Sequence, residues 1–154
     1  MTVSKLLTTL LAPFVLLLPL VVSPAWAETR LPLMTVYKSP SCGCCGDWIT
    51  HMKQNGFEVK VQDTHNLNPI KMKAGLTPEI ASCHTAFVDG YVVEGHVPAS
   101  DVKRMLTERP AIKGLSAPGM PVGSPGMEMG DRVDPYDVVS FDEEGSVKVY
   151  RSYR

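Results

Sequence analysis

Three of the chain's four cysteines, Cys42, Cys44 and Cys45, fall within four positions in the stretch Ser39-Pro40-Ser41-Cys42-Gly43-Cys44-Cys45-Gly46-Asp47-Trp48. The flanking residues constrain where in a fold this stretch can sit. Upstream, Leu33-Met34-Thr35-Val36-Tyr37 is apolar and β-branched, which suits a buried strand. Downstream, Trp48, Ile49 and Met52 repeat at i, i+1 and i+4, and Gly56 stands where a helix would stop. The cysteines are therefore expected in the first turn of a helix, where unpaired backbone N–H groups and the positive end of the dipole stabilise anions. Such a place favours thiolates. A thiol of lowered pKa serves either thiol–disulfide exchange or the binding of a soft metal.

The spacing allows both uses. Cys42 and Cys45 form a C-x-x-C pair, as a disulfide oxidoreductase needs at a helix N-terminus, whereas Cys42 and Cys44 form C-x-C and Cys44 and Cys45 are adjacent. Adjacent side chains usually diverge, so three thiolates this close suit a single tetrahedral ion poorly and suit several bridged ions better. A purely structural disulfide rarely needs three clustered thiols.

The N-terminus reads as an export signal. Lys5 supplies a short basic region, Leu6 to Val22 is almost wholly apolar, and Ala25-Trp26-Ala27 is a small-x-small cleavage site. Pro13 and Pro19 interrupt the apolar run, which falls short of the roughly 20 residues a membrane span needs. The expected division is a signal peptide over residues 1–27 and one domain over residues 28–154, delivered to the periplasm. A formal net charge of −1 gives no basic footprint for nucleic acid, and no basic amphipathic helix suggests membrane-surface binding after cleavage.

Beyond Gly56, the run Phe57 to Gln62 alternates apolar with polar as a strand does, completing a β-α-β unit. Asn68-Pro69 opens a short helix ending near Gly75, and Thr77-Pro78-Glu79 marks another brief turn. Thr85 to Val88 and Tyr91 to Glu94 flank Asp89-Gly90, a strong hairpin signal. A helix follows, with Val102, Met105 and Leu106 on one face, Asp101 in its first turn and Pro110 past its end. From Pro110 to Pro135 five prolines and five glycines make periodic structure improbable, and the segment reads as an irregular, methionine-containing loop. Tyr136 to Phe141 and Ser146 to Tyr153, joined by Asp142-Glu143-Glu144-Gly145, read as a second hairpin. The expected fold class is α/β (α+β), a central mixed sheet with helices on both faces.

Placed in this order, the elements resemble a thioredoxin-like domain. More closely, the chain resembles the CopG-type family of exported bacterial copper-resistance proteins, through four stretches: Tyr37 to Cys45, Ser82-Cys83-His84-Thr85, Glu94-Gly95-His96-Val97-Pro98, and Gly119-Met120-Pro121 through Gly126-Met127-Glu128. The resemblance spans nearly all of the chain after the signal. It implies copper binding by the cysteines and a role in copper handling that admits redox activity.

The residues support this independently. Thioredoxin-like oxidoreductases usually carry a proline just before the strand facing the cysteine motif, and here that place holds Cys83-His84-Thr85. A fourth thiol facing the first three makes a metal cup. His84 and His96 flank the same hairpin, and each offers a nitrogen ligand at the sheet end. Met120, Met127 and Met129 lie in the Gly/Pro-rich loop, where thioethers serve less naturally as core, and thioether and thiolate together select Cu(I). Met52, Met72 and Met105 read as core or simple surface and Trp48 as core, while His51, roughly 100° round the helix from its apolar stripe, is expected to face solvent. His65 makes only a weak case as a ligand.

The leading expectation is a periplasmic Cu(I)-binding protein with Cys42, Cys44, Cys45 and Cys83 as ligands, His84, His96, Met120, Met127 and Met129 as further candidates, and copper ions and other periplasmic copper-handling proteins as partners. The alternative is a thiol–disulfide oxidoreductase with Cys42 as nucleophile and Cys45 as resolving thiol. A structural zinc site would use the four thiolates but would leave the adjacent pair and the methionines unexplained.

Overall fold

The computed structural model describes residues 30–154, so the export signal read over residues 1–27 lies outside the described residues. The first unit is β1 (Met34–Lys38), α1 (Gly43–Gln54) and β2 (Val59–Asp63), with β1 and β2 parallel. Then come α2 (Asn68–Lys73) and the hairpin β3 (Thr85–Val88) and β4 (Tyr91–Gly95), followed by α3 (Ala99–Glu108). β5 (Gly114–Ala117), β6 (Tyr136–Phe141) and β7 (Val147–Tyr153) complete a seven-stranded mixed sheet in the order β2-β1-β3-β4-β5-β6-β7.

The strands' twofold alternation sorts the apolar side chains onto two faces. Met34 and Val36 of β1, Ala86 and Val88 of β3, Val93 of β4, Leu115 and Ala117 of β5 and Val138 of β6 meet Trp48, Ile49 and Met52 of α1 and Val102 and Met105 of α3. On the opposite face a smaller cluster of Ala74, Ile80, Val92 and Phe141 forms beside α2. Helices thus cover both faces, as the sequence pattern implies.

The segment from Pro110 to Pro135 differs from its reading as wholly irregular. It contains β5, whose four residues are all buried, running parallel to β4 after the α3 crossover and antiparallel to β6. Composition hides this strand because Gly-Leu-Ser-Ala has weak β-propensity; burial on both faces and pairing on both edges hold it instead. Gly114 shows how close the pairing is, since a Cβ added there would stand 2.1 Å from the Val92 carbonyl oxygen. Gly114→Ala is accordingly expected to cost at least the roughly 1–3 kcal/mol of an overpacked core, read as a lower denaturant midpoint. An unchanged midpoint would mean that β4 and β5 separate freely.

The C-terminal hairpin is tied back to the body through Asp101 in the first turn of α3. This fully buried carboxylate accepts hydrogen bonds from Tyr153 Oη at 2.8 Å and Arg151 Nη1 at 3.2 Å. The far end of the sheet is fixed in this way, and the cysteine end is left to the loops described next. Among the described residues no helix is long and apolar enough to cross a membrane.

Candidate metal centre

Cys42 is the N-cap residue of α1, and its side chain makes no capping hydrogen bond; no acidic residue occupies the first turn. The first-turn amides and the helix dipole therefore act on the sulfur atoms of Cys42, Cys44 and Cys45 with no carboxylate competing for them. Cys42 and Cys45, one helical turn apart, are joined in a disulfide, and Cys44 and Cys83 are free thiols. Cys44 Sγ lies 3.6 Å from Cys42 Sγ.

Cys83 reaches the group from the loop entering β3. β1 pairs antiparallel with β3, so the chain leaving β1 towards α1 lies beside the chain entering β3. The Sγ atoms of Cys42, Cys44, Cys45 and Cys83 all lie within 4.8 Å of one another. Sulfur atoms around one tetrahedral ion at about 2.3 Å would be about 3.8 Å apart. The four donors thus fit a soft metal centre with small shifts once the disulfide is reduced. Burial, then the neighbouring Cys44, pushes the Cys83 thiol up to about 11, so this member of the group carries its proton at neutral pH until a metal displaces it.

Both expected histidines reach the same place. Cys83 Sγ is 3.0 Å from His96 Nε2 and 3.3 Å from His84 Nδ1, and both imidazoles are fully buried. Burial lowers the pKa of each, so both are neutral near pH 7. His84 packs between the Trp48 ring, 4.4 Å between centroids, and the His96 ring, 5.1 Å away. Among the described residues its Nε2 has no hydrogen-bond partner, an omission that costs about 1–3 kcal/mol for a buried polar atom. Trp48, read as core, is therefore also a wall of the site, held by its Nε1 donating to Val97 O at 2.9 Å.

Beneath Cys83 lies a buried ion pair that sequence patterns do not single out. Glu94 of β4 is fully buried and accepts from the Ser82 N–H at 2.6 Å, from Thr85 Oγ1 at 2.7 Å and from Lys71 Nζ of α2. Burial raises the carboxyl's pKa, and Lys71 opposes that shift. The pair fixes the backbone immediately before Cys83.

The loop carrying the expected methionines lies against the site at three points. Ser82 Oγ donates to Gly119 O, His96 Nδ1 donates to Pro125 O at 2.8 Å, and Gly126 (φ 81°) lies so close that an added Cβ would be 2.6 Å from Trp48 N and 2.8 Å from Cys44 O. Met120 and Met127 directly follow two of these contacts, Met127 half-buried and Met120 exposed, while Met129 is 63% exposed. His51 departs from its expected solvent-facing role. Its Nε2 accepts the Ala99 N–H at 3.1 Å, capping the start of α3, a long-range contact that helical periodicity does not report. Met52 and Met105 are core and Met72 is surface.

Two solved structures named "Copper resistance protein copG", Form 2 and Form 1, superpose on this chain with TM-scores of 0.77 and 0.76. They are 44% and 45% identical to it, each alignment covering 80% of this chain and 99% and 98% of theirs. The chain belongs to the CopG family of copper resistance proteins. A family model described as "Protein of unknown function, DUF411" matches residues 80–127, which include Cys83, His84, His96, Met120 and Met127 but not the first three cysteines. A search of the curated proteins finds no match. The clustered sulfur atoms suggest metal binding by this member of the CopG family.

Proposed function

We propose that this chain is a periplasmic Cu(I)-binding protein of copper resistance and homeostasis, holding several copper ions through Cys42, Cys44, Cys45 and Cys83 in the reduced state. The observation that carries this reading is the convergence of four sulfur atoms within 4.8 Å at a helix N-terminus. Soft thiolates select Cu(I), and Met120 and Met127, each next to a glycine that touches the site, are the thioethers in this reading. Residues 1–27 supply the export signal. Closing or opening the Cys42–Cys45 disulfide changes the number of available thiolates, which couples copper loading to redox state.

The test is an anaerobic titration of the fully reduced protein with Cu(I) against a strong chelator. The expected endpoint exceeds one copper per chain and falls when Cys44 is replaced by serine. A clean endpoint at one copper, unchanged in Cys44→Ser, would count against a bridged cluster.

The disulfide also favours a second reading, a thiol–disulfide oxidoreductase. In that chemistry the Cys42 thiolate attacks a substrate disulfide and expels one substrate thiolate. Cys45 then attacks the mixed disulfide, releasing the second thiolate and closing Cys42–Cys45. Strong insulin-reductase activity without Cu(I) binding would select this reading.

A further inference from the structure

Thr35 and Tyr37 alternate along β1 with the core residues Met34 and Val36, so they point to the sheet face away from α1. On that face α2 is only six residues long, sends Lys71 inward to Glu94 and buries none of its residues. Between α2 and the sheet lies an open groove of about 590 Å³, lined by Thr35 and Tyr37 of β1, Phe87 of β3 and Pro69, Ile70 and Lys73 of α2. We propose that this groove binds a small aromatic carboxylate. It shares no residue with the sulfur site, so the proposal stands or falls independently of copper binding.

Size, lining and charge each bear on the occupant. The volume falls within the roughly 300–1,000 Å³ of small-molecule sites, which are usually concave and mostly apolar with a few polar groups. The floor is aromatic. Tyr37 and Phe87 meet edge-to-face, with centroids 5.9 Å apart and planes at 85°, and both rings are only partly buried. A third ring set against such a pair gains from offset or edge-to-face contact beyond the area it buries. Ile70 is also only partly buried despite being apolar, and it gives the ring a wall. No aspartate or glutamate lines the groove. Lys73 stands exposed at its rim with no ion pair among the described residues. The register pairs Thr35 with Lys60, which puts a second ammonium group on the same face one strand away. Two lysines flanking an apolar groove that has no acidic lining favour an anion.

The backbone beneath the groove argues against a peptide strand as occupant. An extended peptide gains affinity by adding main-chain hydrogen bonds to a sheet edge. Here β1 is already paired with β2 and β3, and β3 with β1 and β4, so the floor offers side chains only. A small ligand needs no more than that. Its ring packs on Tyr37, Phe87 and Ile70, and its carboxylate reaches the Lys73 ammonium group.

The experiment titrates the protein, without added metal, with 3-phenylpropionate and with its neutral counterpart 3-phenylpropanamide, following backbone amide resonances by NMR. The expected result is saturable shifts centred on Thr35, Tyr37, Ile70, Lys73 and Phe87. The carboxylate should bind at least about threefold tighter than the amide, as an exposed ion pair allows, and high salt should shrink that preference. Lys73→Gln should abolish the preference, and Ile70→Gln should weaken both ligands. Should Ile70→Gln lose its fold by circular dichroism, the two ligands compared on wild type and Lys73→Gln decide the matter. Four outcomes would overturn the proposal: no saturable shift by about 1 mM ligand, the weak end of the affinity scale; equal binding of acid and amide; shifts centred elsewhere; or a preference for the acid that persists in Lys73→Gln. Self-association in sedimentation that the probe reverses would assign the groove to a second copy of the chain and overturn it equally.

Discussion

Replacing Cys83 with serine should weaken Cu(I) binding by the reduced protein more than about 100-fold, beyond the 10–100-fold that loss of a mere outer-shell partner typically costs. The reason is geometric. Cys42, Cys44 and Cys45 all project from one helix end, so Cys83, arriving from the loop before β3, is the donor that closes the group from the facing side. Serine preserves the shape, and its hydroxyl can still reach the neighbouring imidazoles, so the metal-free circular dichroism spectrum should match the wild type. Chelator competition measures the affinity. An unchanged affinity would confine the copper site to residues 42–45 and refute the facing-loop argument.

The second large effect is expected at Lys71, which touches no candidate ligand. Glu94 is fully buried while the Lys71 side chain is 15% exposed, so the two ends of the pair are not equivalent. Lys71→Met leaves a carboxylate that cannot reach solvent. The expected loss of stability is about 3 kcal/mol, the lower end of the range for breaking a buried pair, because the Ser82 and Thr85 hydrogen bonds to Glu94 remain. Combining Lys71→Met with Glu94→Leu should recover part of the loss, since no uncompensated charge is then buried. Urea unfolding measures both variants. Equal stability of Lys71→Met and wild type would show that Glu94 is already neutral without its partner. The same variant should also loosen the backbone at Ser82, giving faster alkylation of Cys83.

These two residues illustrate what the sequence conveyed and what it withheld. Cys83 is legible because a thiol stands immediately before a strand facing the first cysteine motif, where an oxidoreductase would keep a proline, and β1, α1, β3, β4 and α3 are legible from their apolar periods and turn residues. Lys71 and Glu94 are not, because a lysine on a short polar helix and a glutamate at a strand end look like ordinary surface residues. Only the packing of α2 over the sheet buries them together. β5 was hidden for a similar reason: Leu115 and Ala117 alternate with Ser116, but four residues among prolines and glycines are too few to outweigh composition. The His51 cap on α3 leaves no periodic trace, since it joins positions far apart in sequence. The disulfide choice among three clustered thiols likewise follows from the helical turn that brings Cys42 and Cys45 together, and the spacing alone left it open.

The pairing of β1 with β3 also matters for how the protein responds to its cargo. Cys42, Cys44 and Cys45 meet Cys83 only when those two strands have aligned, so an unfolded chain keeps three neighbouring thiols but offers no enclosed four-sulfur site. An ion held by all four sulfur atoms therefore binds the native chain in preference to the denatured one, and mass action makes it a folding ligand. At a free concentration one hundred times its dissociation constant, such an ion adds at most about 2.7 kcal/mol to the folding equilibrium, less what it gains by binding the Cys42–Cys45 stretch of the unfolded chain. Rising metal would thus enlarge the pool of folded, protease-resistant protein without any new synthesis, and depletion would return the chain to its intrinsic stability.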